Sequence, residues 1–317
     1  MKQAVFFFMG LIFLSQVSFA QKIEKFYDYQ WQECATNMAR FYSVTVQKDS
    51  GWVREDYYLH NKKLQMVGKY KDMNCKVQDG YFYYFYPDGI LQMKGQYVNN
   101  KKEGLWISLH PNGFMSDSTV YDSNEKVGIS LQWHNNGQLS DSTNYKEDGT
   151  AVAVSWFDNG GISSAGRLNM INHYNGKWQF YHKNGKLSAT EIYDNGKLVD
   201  YKYFSENGAE RTDSAGSRKA AAFRGGTDAW MTYLGRNLYF PSGYKIQNDD
   251  KAVLIVEFIV DEEGNVKDTR LEAPLHPIFD DVVLRAFKKS PKWIPAMDHN
   301  RKVKFTHRQS VTFKAPG

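Results

Sequence analysis

Large apolar side chains return at fixed distances from a polar Asx-Gly pair through the middle of this chain. The pairs are Asp88-Gly89, Asn112-Gly113, Asn136-Gly137, Asn159-Gly160, Asn184-Gly185 and Asn207-Gly208, and their glycines step by 24, 24, 23, 25 and 23 residues. Four before the glycine stands Phe85, Leu109, Trp133, Trp156, Tyr181 or Phe204, a position expected to face a core. Two after it come Leu91, Met115, Leu139, Ile162 and Leu187, and eight after it Tyr97, Tyr121, Tyr145, Leu168 and Tyr193. The sixth copy breaks this pattern at Glu210. Asx-Gly suits a two-residue hairpin turn in which both central residues need positive φ, so Gly89, Gly113, Gly137, Gly160, Gly185 and Gly208 are expected to turn hairpins. A second turn is expected nine residues earlier, at Gly80, Gly104, Gly128 and Gly176, with the fourth copy shifted to Gly149. Such a period is read as an array of strand, turn, strand, turn.

Residues 21–57 lack this register. Phe26, Tyr27, Tyr29 and Trp31 precede the alternating run Phe41 to Val46, and a degenerate copy follows with Asn61-Lys62 at its turn. Array ends must cover an open edge, so 21–57 is expected to cap the repeats of 58–209. From Glu210 to Ser217 no large apolar residue occurs, which marks 210–219 as a linker.

Beyond the linker the period changes. Thr227 to Leu238 puts Trp230, Met231, Leu234 and Leu238 on one side of a helix stopped by Pro241. Val253 to Val260 and Val266 to Leu271 read as strands joined at Asp261-Glu262-Glu263-Gly264, whose acids are expected in solvent. Phe279, Val282, Val283, Ala286 and Phe287 have amphipathic-helix spacing, ended by Ser290-Pro291. Val303, Phe305, His307, Gln309, Val311 and Phe313 then alternate with Lys304, Thr306, Arg308, Ser310, Thr312 and Lys314, a half-buried strand with a basic outer face. The expected fold is mixed: an N-terminal all-β antiparallel repeat sheet of successive hairpins, then a small α+β domain at 220–317.

The repeat resembles the MORN-like family in its G-x-W-x-x-Y-x-x-N-G-x-L variant, as in Gly104-Leu105-Trp106 through Asn112-Gly113 and Gly176-Lys177-Trp178 through Asn184-Gly185-Lys186-Leu187. That resemblance implies a β scaffold or docking surface without catalytic chemistry. The C-terminal order of helix, strand, strand, helix, strand is similar to the TonB C-terminal domain family. Its joints carry Phe223-Arg224-Gly225-Gly226, Tyr239-Phe240-Pro241, Val260-Asp261 with Gly264, and Trp293-Ile294-Pro295-Ala296. The likeness implies structural roles for Gly225, Gly226, Tyr239, Pro241, Gly264, Trp293 and Pro295. It also implies a periplasmic domain that grips a short peptide, the TonB box, of an outer-membrane transporter by adding it as a strand. TonB itself has an uncleaved membrane helix coupled to a proton-driven motor and a long proline-rich span. Here the spacer is a β-repeat, and the whole chain holds 8 prolines.

Lys2, the apolar run Ala4 to Leu14 and the small residues of Ser18-Phe19-Ala20 read as a secretory signal, residues 1–20, cut before Gln21. The run is shorter than the about 20 residues of a spanning helix, so no transmembrane helix is expected in the mature periplasmic chain; an uncleaved inner-membrane anchor is the alternative. Export would place Cys34 and Cys75 in an oxidising compartment. There they either close a disulfide loop of about 40 residues or remain two buried thiols.

A formal net charge of +5 is too small to suggest nucleic-acid binding. From Arg285 onward, however, Lys288, Lys289, Lys292, Arg301, Lys302, Lys304, Arg308 and Lys314 face only Asp298, an expected basic patch for an acidic partner. His110, His134 and His182 share one register, three before the hairpin glycine, with Tyr86 and Phe157. Equivalent residues stand two strands, roughly 10 Å, apart, too far to share one ion. Trp106 and Trp178 have the surface to stack on sugars but are expected to pack. No catalytic residue, metal or cofactor is expected.

The leading expectation is a periplasmic TonB-like binding protein that captures a transporter peptide by strand addition. Lys304, Phe305, Arg308, Gln309, Val311 and Phe313 are the candidate contacts, with the repeat sheet as spacer or docking surface and a homodimer compatible with both. The rival is a non-transport envelope scaffold or adaptor that binds protein, glycan or lipid through the repeat sheet and the basic C-terminal face.

Overall fold

The computed structural model describes residues 22–48, 50–211, 218–244 and 251–314. The expected signal at 1–20 and the centre of the expected linker, 212–217, lie outside the described residues.

Sixteen strands follow one another in a single antiparallel sheet in chain order. They are β1 (Lys22–Tyr27), β2 (Phe41–Lys48), β3 (Gly51–Tyr58), β4 (Leu64–Tyr70), β5 (Gln78–Phe85), β6 (Leu91–Val98), β7 (Lys101–Leu109) and β8 (Met115–Asp122). Then come β9 (Glu125–Trp133), β10 (Leu139–Tyr145), β11 (Ala151–Trp156), β12 (Ile162–Leu168), β13 (Tyr174–Tyr181), β14 (Leu187–Asp194), β15 (Lys197–Phe204) and β16 (Glu210–Arg211). Strands β1 to β3 pair directly into this sheet, and β1 is its outer edge.

The Asx-Gly sites do turn hairpins, but not as two-residue loops. Only the glycines have positive φ, 85° at Gly113 and 83° at Gly137. His110 N donates to Phe114 O at 2.7 Å and Gly113 N to His110 O at 2.8 Å, which closes a three-residue loop ending in a left-handed glycine. The turns with two positive φ values lie at the other end of the strands, at Asn99-Asn100 (50° and 66°), Ser123-Asn124 (51° and 78°) and Asn195-Gly196 (47° and 86°). Gly104, Gly128 and Gly176, expected as turn residues, instead lie inside β7, β9 and β13 beside register shifts, where a bulge needs the left-handed conformation.

The expected core position is also displaced. Residues four before the glycine are half-buried, while rings seven before it are fully buried: Phe82 at 0%, Trp106 at 2% and Trp178 at 2% exposure. Each lies against a glycine of the preceding strand, so a Cβ on Gly68, Gly95 or Gly166 would fall 2.1 Å from a ring atom. Where Thr119 and Thr143 replace that glycine, the facing residues shrink to Ser130 and Ala153, with Thr119 and Ser130 hydroxyls 2.6 Å apart.

The C-terminal unit is α+β. Strands β17 (Lys251–Val260), β18 (Val266–Ala273) and β21 (Phe305–Lys314) form an antiparallel sheet in the order β18-β17-β21, joined by the small hairpin β19 (Ala296–Asp298) and β20 (Arg301–Val303). Helix α1 (Gly226–Asn237) and helix α2 (Pro277–Lys288) pack on one face. Leu254, Val256, Phe258 and Val260 meet Phe279, Val282, Val283 and Phe287 of α2 and Trp230 and Leu234 of α1. Met231 is 57% exposed rather than in that core, because α1 presents one narrow stripe to it.

Candidate functional site

Strand β21 pairs along its whole length with β17, and among the described residues no strand borders its other side. Its alternation works as the pattern required. Val311 and Phe313 are buried at 5% and 6% and belong to the core, with Phe305 half-buried against it. His307 lies parallel to Phe258, ring centroids 5.1 Å apart, and burial pushes its pKa down. Gln309 accepts a hydrogen bond from the Trp230 indole at 2.8 Å. Thr306, Arg308, Ser310 and Thr312 face outward. Arg308 donates to Glu272 at 2.7 Å yet stays 65% exposed. The strand begins at Phe305, and Lys304 before it pairs with Asp158 of the repeat sheet at 3.0 Å. Of the six candidate contacts, Arg308 is the one with a largely exposed side chain on β21, and its guanidinium reaches across β17 to Glu272 of β18.

The family-motif residues fasten this unit together. Gly225 and Gly226 have φ of 88° and 79°, opening α1 where a Cβ on Gly225 would meet Ala229 at 2.8 Å. Gly264, φ 83°, lies so close to Trp293 that a Cβ would fall 2.2 Å from its carbonyl oxygen, while Trp293 N donates to Gly264 O at 2.8 Å. Pro241 is buried, Pro295 half-buried and Tyr239 57% exposed. The Asp261 tip is not solvated as expected. Asp261 is 8% exposed, accepting from Glu263 N and Asn265 N, and Glu262 pairs with Lys183 of the repeat sheet at 3.3 Å.

A second feature escaped sequence reasoning. The turn between β19 and β20, His299-Asn300 with φ of 49° and 59°, plugs into the repeat sheet. His299 stacks on Phe180 at 3.6 Å and bonds through Nδ1 to the buried Glu191 carboxylate at 2.8 Å. Asn300, 3% exposed, donates to Ser188 O and Phe204 O at 3.0 and 2.8 Å. The Arg301 guanidinium donates to Ser163 O and Tyr181 O at 2.5 and 2.6 Å over the Phe157 ring, and desolvation pushes its pKa down to about 10. Beside the plug, β17, β18 and the hairpin rim enclose a cavity of about 560 Å³ bordered by Trp133, His134, Asp268 and Arg270. The sequence signal for it is the polar run Asp298 to Lys302 between Met297 and Val303. The expected basic patch is broken up: Arg301 is buried in the repeat sheet, and Arg285, Lys304 and Arg308 are paired with Asp281, Asp158 and Glu272.

The histidine register is a ladder. Nε2 of His110, His134 and His182 donates to the carbonyls of Trp133, Trp156 and Phe204 one repeat on, at 2.8, 2.9 and 2.9 Å, as the Tyr86 hydroxyl does to Leu109. No group of side chains able to hold a metal occurs among the described residues. Trp106 and Trp178 are too buried to stack on a sugar. Cys34 and Cys75 are free thiols, Cys75 lying 3.7 Å from the Thr45 hydroxyl.

A long hairpin array with a docked α+β unit and an open strand edge at β21 is an architecture suited to binding or scaffolding. Residues 240–315 match the family model of the Gram-negative bacterial TonB protein C-terminal, and residues 78–99 and 174–195 match the MORN repeat variant. The chain thus combines MORN-variant repeats with a TonB C-terminal-like domain. A comparison with curated proteins finds no match. The TonB match points to a TonB-like protein of the Gram-negative envelope, and both families are non-catalytic. No helix among the described residues is long and apolar enough to cross a membrane.

Proposed function

We propose that this is a periplasmic TonB-like protein that captures a short extended peptide of an outer-membrane transporter as an added strand beside β21. The observation that carries this reading is the ten-residue strand that, among the described residues, is paired on one side only. An unpaired edge offers a row of main-chain donors and acceptors, and strand addition draws its affinity from them. Because the alternate side chains Phe305, Gln309, Val311 and Phe313 are committed inward, specificity falls to the outward row. Arg308 and the terminal Lys314 are the charged members of that row, and Arg308, nearer its centre, suits an acidic residue near the peptide.

The test is a titration of labelled transporter N-terminal peptides against the protein, with each peptide also made N-methylated at alternate residues. Methylation in one phase should abolish binding, and in the other phase leave it intact, because alternate amides point toward β21. Arg308→Glu should weaken an acidic peptide more at low salt than at high salt. Equal tolerance of both methylation phases would remove strand addition. A second reading, an envelope scaffold, is favoured by the fixed docking of the C-terminal unit on the array: a rigid composite is suited to hold partners as well as to reach them. It predicts that residues 21–210 retain an envelope ligand while no transporter peptide binds.

A further inference from the structure

The face of the array turned away from Phe82, Trp106 and Trp178 is apolar over four consecutive repeats and polar over the last two. Eight residues before the hairpin glycine it carries Tyr81, Leu105, Ile129 and Val152, exposed by 60%, 52%, 58% and 41%. Two residues further along each strand stand Tyr83, Ile107, Leu131 and Val154. In the fifth and sixth copies the same positions hold Lys177 with Gln179 and Asp200 with Lys202. The fold therefore accepts charge at these positions, and the apolar choice in β5, β7, β9 and β11 is not a demand of the sheet. The C-terminal unit does not cover this face, since it docks through Phe180 and Glu191 on the opposite side.

We propose that this face binds a second copy of the chain, sheet against sheet. Its relief is self-complementary. Strand pairing sets Ile107, Ser118, Leu131, Ser142, Val154 and Ala165 side by side, so tall apolar ridges alternate with short side chains. Ridges recur every second strand, about 10 Å apart, and stacked sheets interdigitate across about 10 Å. A copy shifted by one strand seats its ridges in these valleys. Charge opposes the overlap little, because strand pairing brings only Lys94, Glu103 and Arg167, of both signs, onto these rows.

The area also suffices. Seven strands from β5 to β11, at ~4.8 Å spacing, crossed by the apolar levels, outline on the order of 500 Å² before relief is counted. Relief brings the accessible area toward the ~800 Å² per partner of a standard interface, beyond what monomers commonly leave bare.

The experiment is sedimentation velocity of the exported protein from about 1 to about 100 µM, where mass action resolves a dimer. Wild type should sediment at twice the chain mass. Leu105→Lys with Ile129→Lys introduces the residue that the fifth copy already carries at Lys177, and should raise the dimer dissociation constant at least 100-fold with the circular dichroism unchanged. If that pair unfolds the array, Leu105→Ser with Ile129→Ser gives the same readout with the side chain of Ser118. Lys177→Ala should leave the dimer intact. A wild type that stays monomeric throughout overturns the proposal, and so does a doubly substituted chain that dimerises as tightly. Wild type that is monomeric but floats with anionic phospholipid vesicles would assign the face to lipid and overturn it as well.

Discussion

Gly166 and Gly137 are both glycines of the array, yet different physics holds them there. Gly166 has ordinary φ and no room: the Trp178 ring occupies the place of its Cβ, and the indole donates to Arg167 O at 2.9 Å. Gly137 has open space and φ of 83°. Gly166→Ala must expel the indole from its seat and should cost about 3 kcal/mol or more. Gly137→Ala should cost only about 1 kcal/mol of left-handed strain. Urea melts compare the two, and equal losses would mean that the ring-on-glycine contact contributes nothing beyond turn chemistry. The hairpin glycines were legible because each repeats within its own copy. The seats under the rings were not, because Gly95 serves Trp106 of the next copy and reads as a strand-weakening residue by itself.

A second residue-scale expectation concerns pH. Asp56 is 3% exposed, and burial pushes its carboxyl up to about 6 although Arg54 lies 2.7 Å away and pulls it back. Between its ordinary value of 3.8 and about 6, the native state keeps a proton that the unfolded chain has lost. That contribution is complete below pH 4 and is lost as pH rises through 6, a decline on the order of 3 kcal/mol. Asp56→Asn should flatten the difference between urea midpoints measured at pH 4.5 and 7.5; an unchanged slope would show that Asp56 titrates normally.

At the scale of elements, the hairpin period is legible in the sequence, but the two-residue turns with paired positive φ fall at the far strand ends, at Asn99-Asn100 and Ser123-Asn124, and not at the Asx-Gly pairs. The reason is that Asx performs two jobs at once. Asn112 Oδ1 accepts from Phe114 N at 3.2 Å inside its own turn, while Asn112 Nδ2 donates to Asn135 O of the next hairpin at 2.6 Å; Asn136 and Asn184 repeat the second bond to Asp158 and Glu206. Inter-repeat bonding selects Asn, so its presence does not require positive φ. The β19–β20 plug was invisible for another reason: the partners of Asn300 are carbonyl oxygens more than ninety residues away, which leave no side-chain signature. Asn300→Gly keeps the left-handed conformation and deletes the two bonds to Ser188 O and Phe204 O together with the 3.4 Å bond accepted from Arg211. It should cost about 2 to 3 kcal/mol and raise hydrogen exchange in β14, β15 and β20 before the sheet unfolds. Exchange unchanged from wild type in those strands would mean that the plug does not hold the two parts together.

For the whole molecule, the sequence led to a spacer joined to a gripping domain, and the contacts describe a composite. Besides the plug, Ala273 packs with Phe41 and Tyr58, Asn135 bonds Asp268 at 3.1 Å, and Lys183 and Lys304 converge on Asp158. Desolvation alone would raise Asp158, but the two lysines hold its carboxyl below the ordinary range. These contacts engage β18, the turn before it at Glu262 and the segment leading into β21, leaving the outer main chain of β21 outside the docking surface. Capture and docking should therefore be separable. Asn300→Gly is expected to leave the dissociation constant of a β21-binding peptide within about threefold of wild type, since no group lost in that variant lies on the open edge. The same peptide, bound to wild type, should protect β21 amides from exchange without protecting β14 or β15. A tenfold loss of affinity in Asn300→Gly would instead make the docked array part of the peptide site, because only a contribution from the array, or a β21 that needs the array to hold its shape, couples a bond at Phe204 O to a ligand at Arg308.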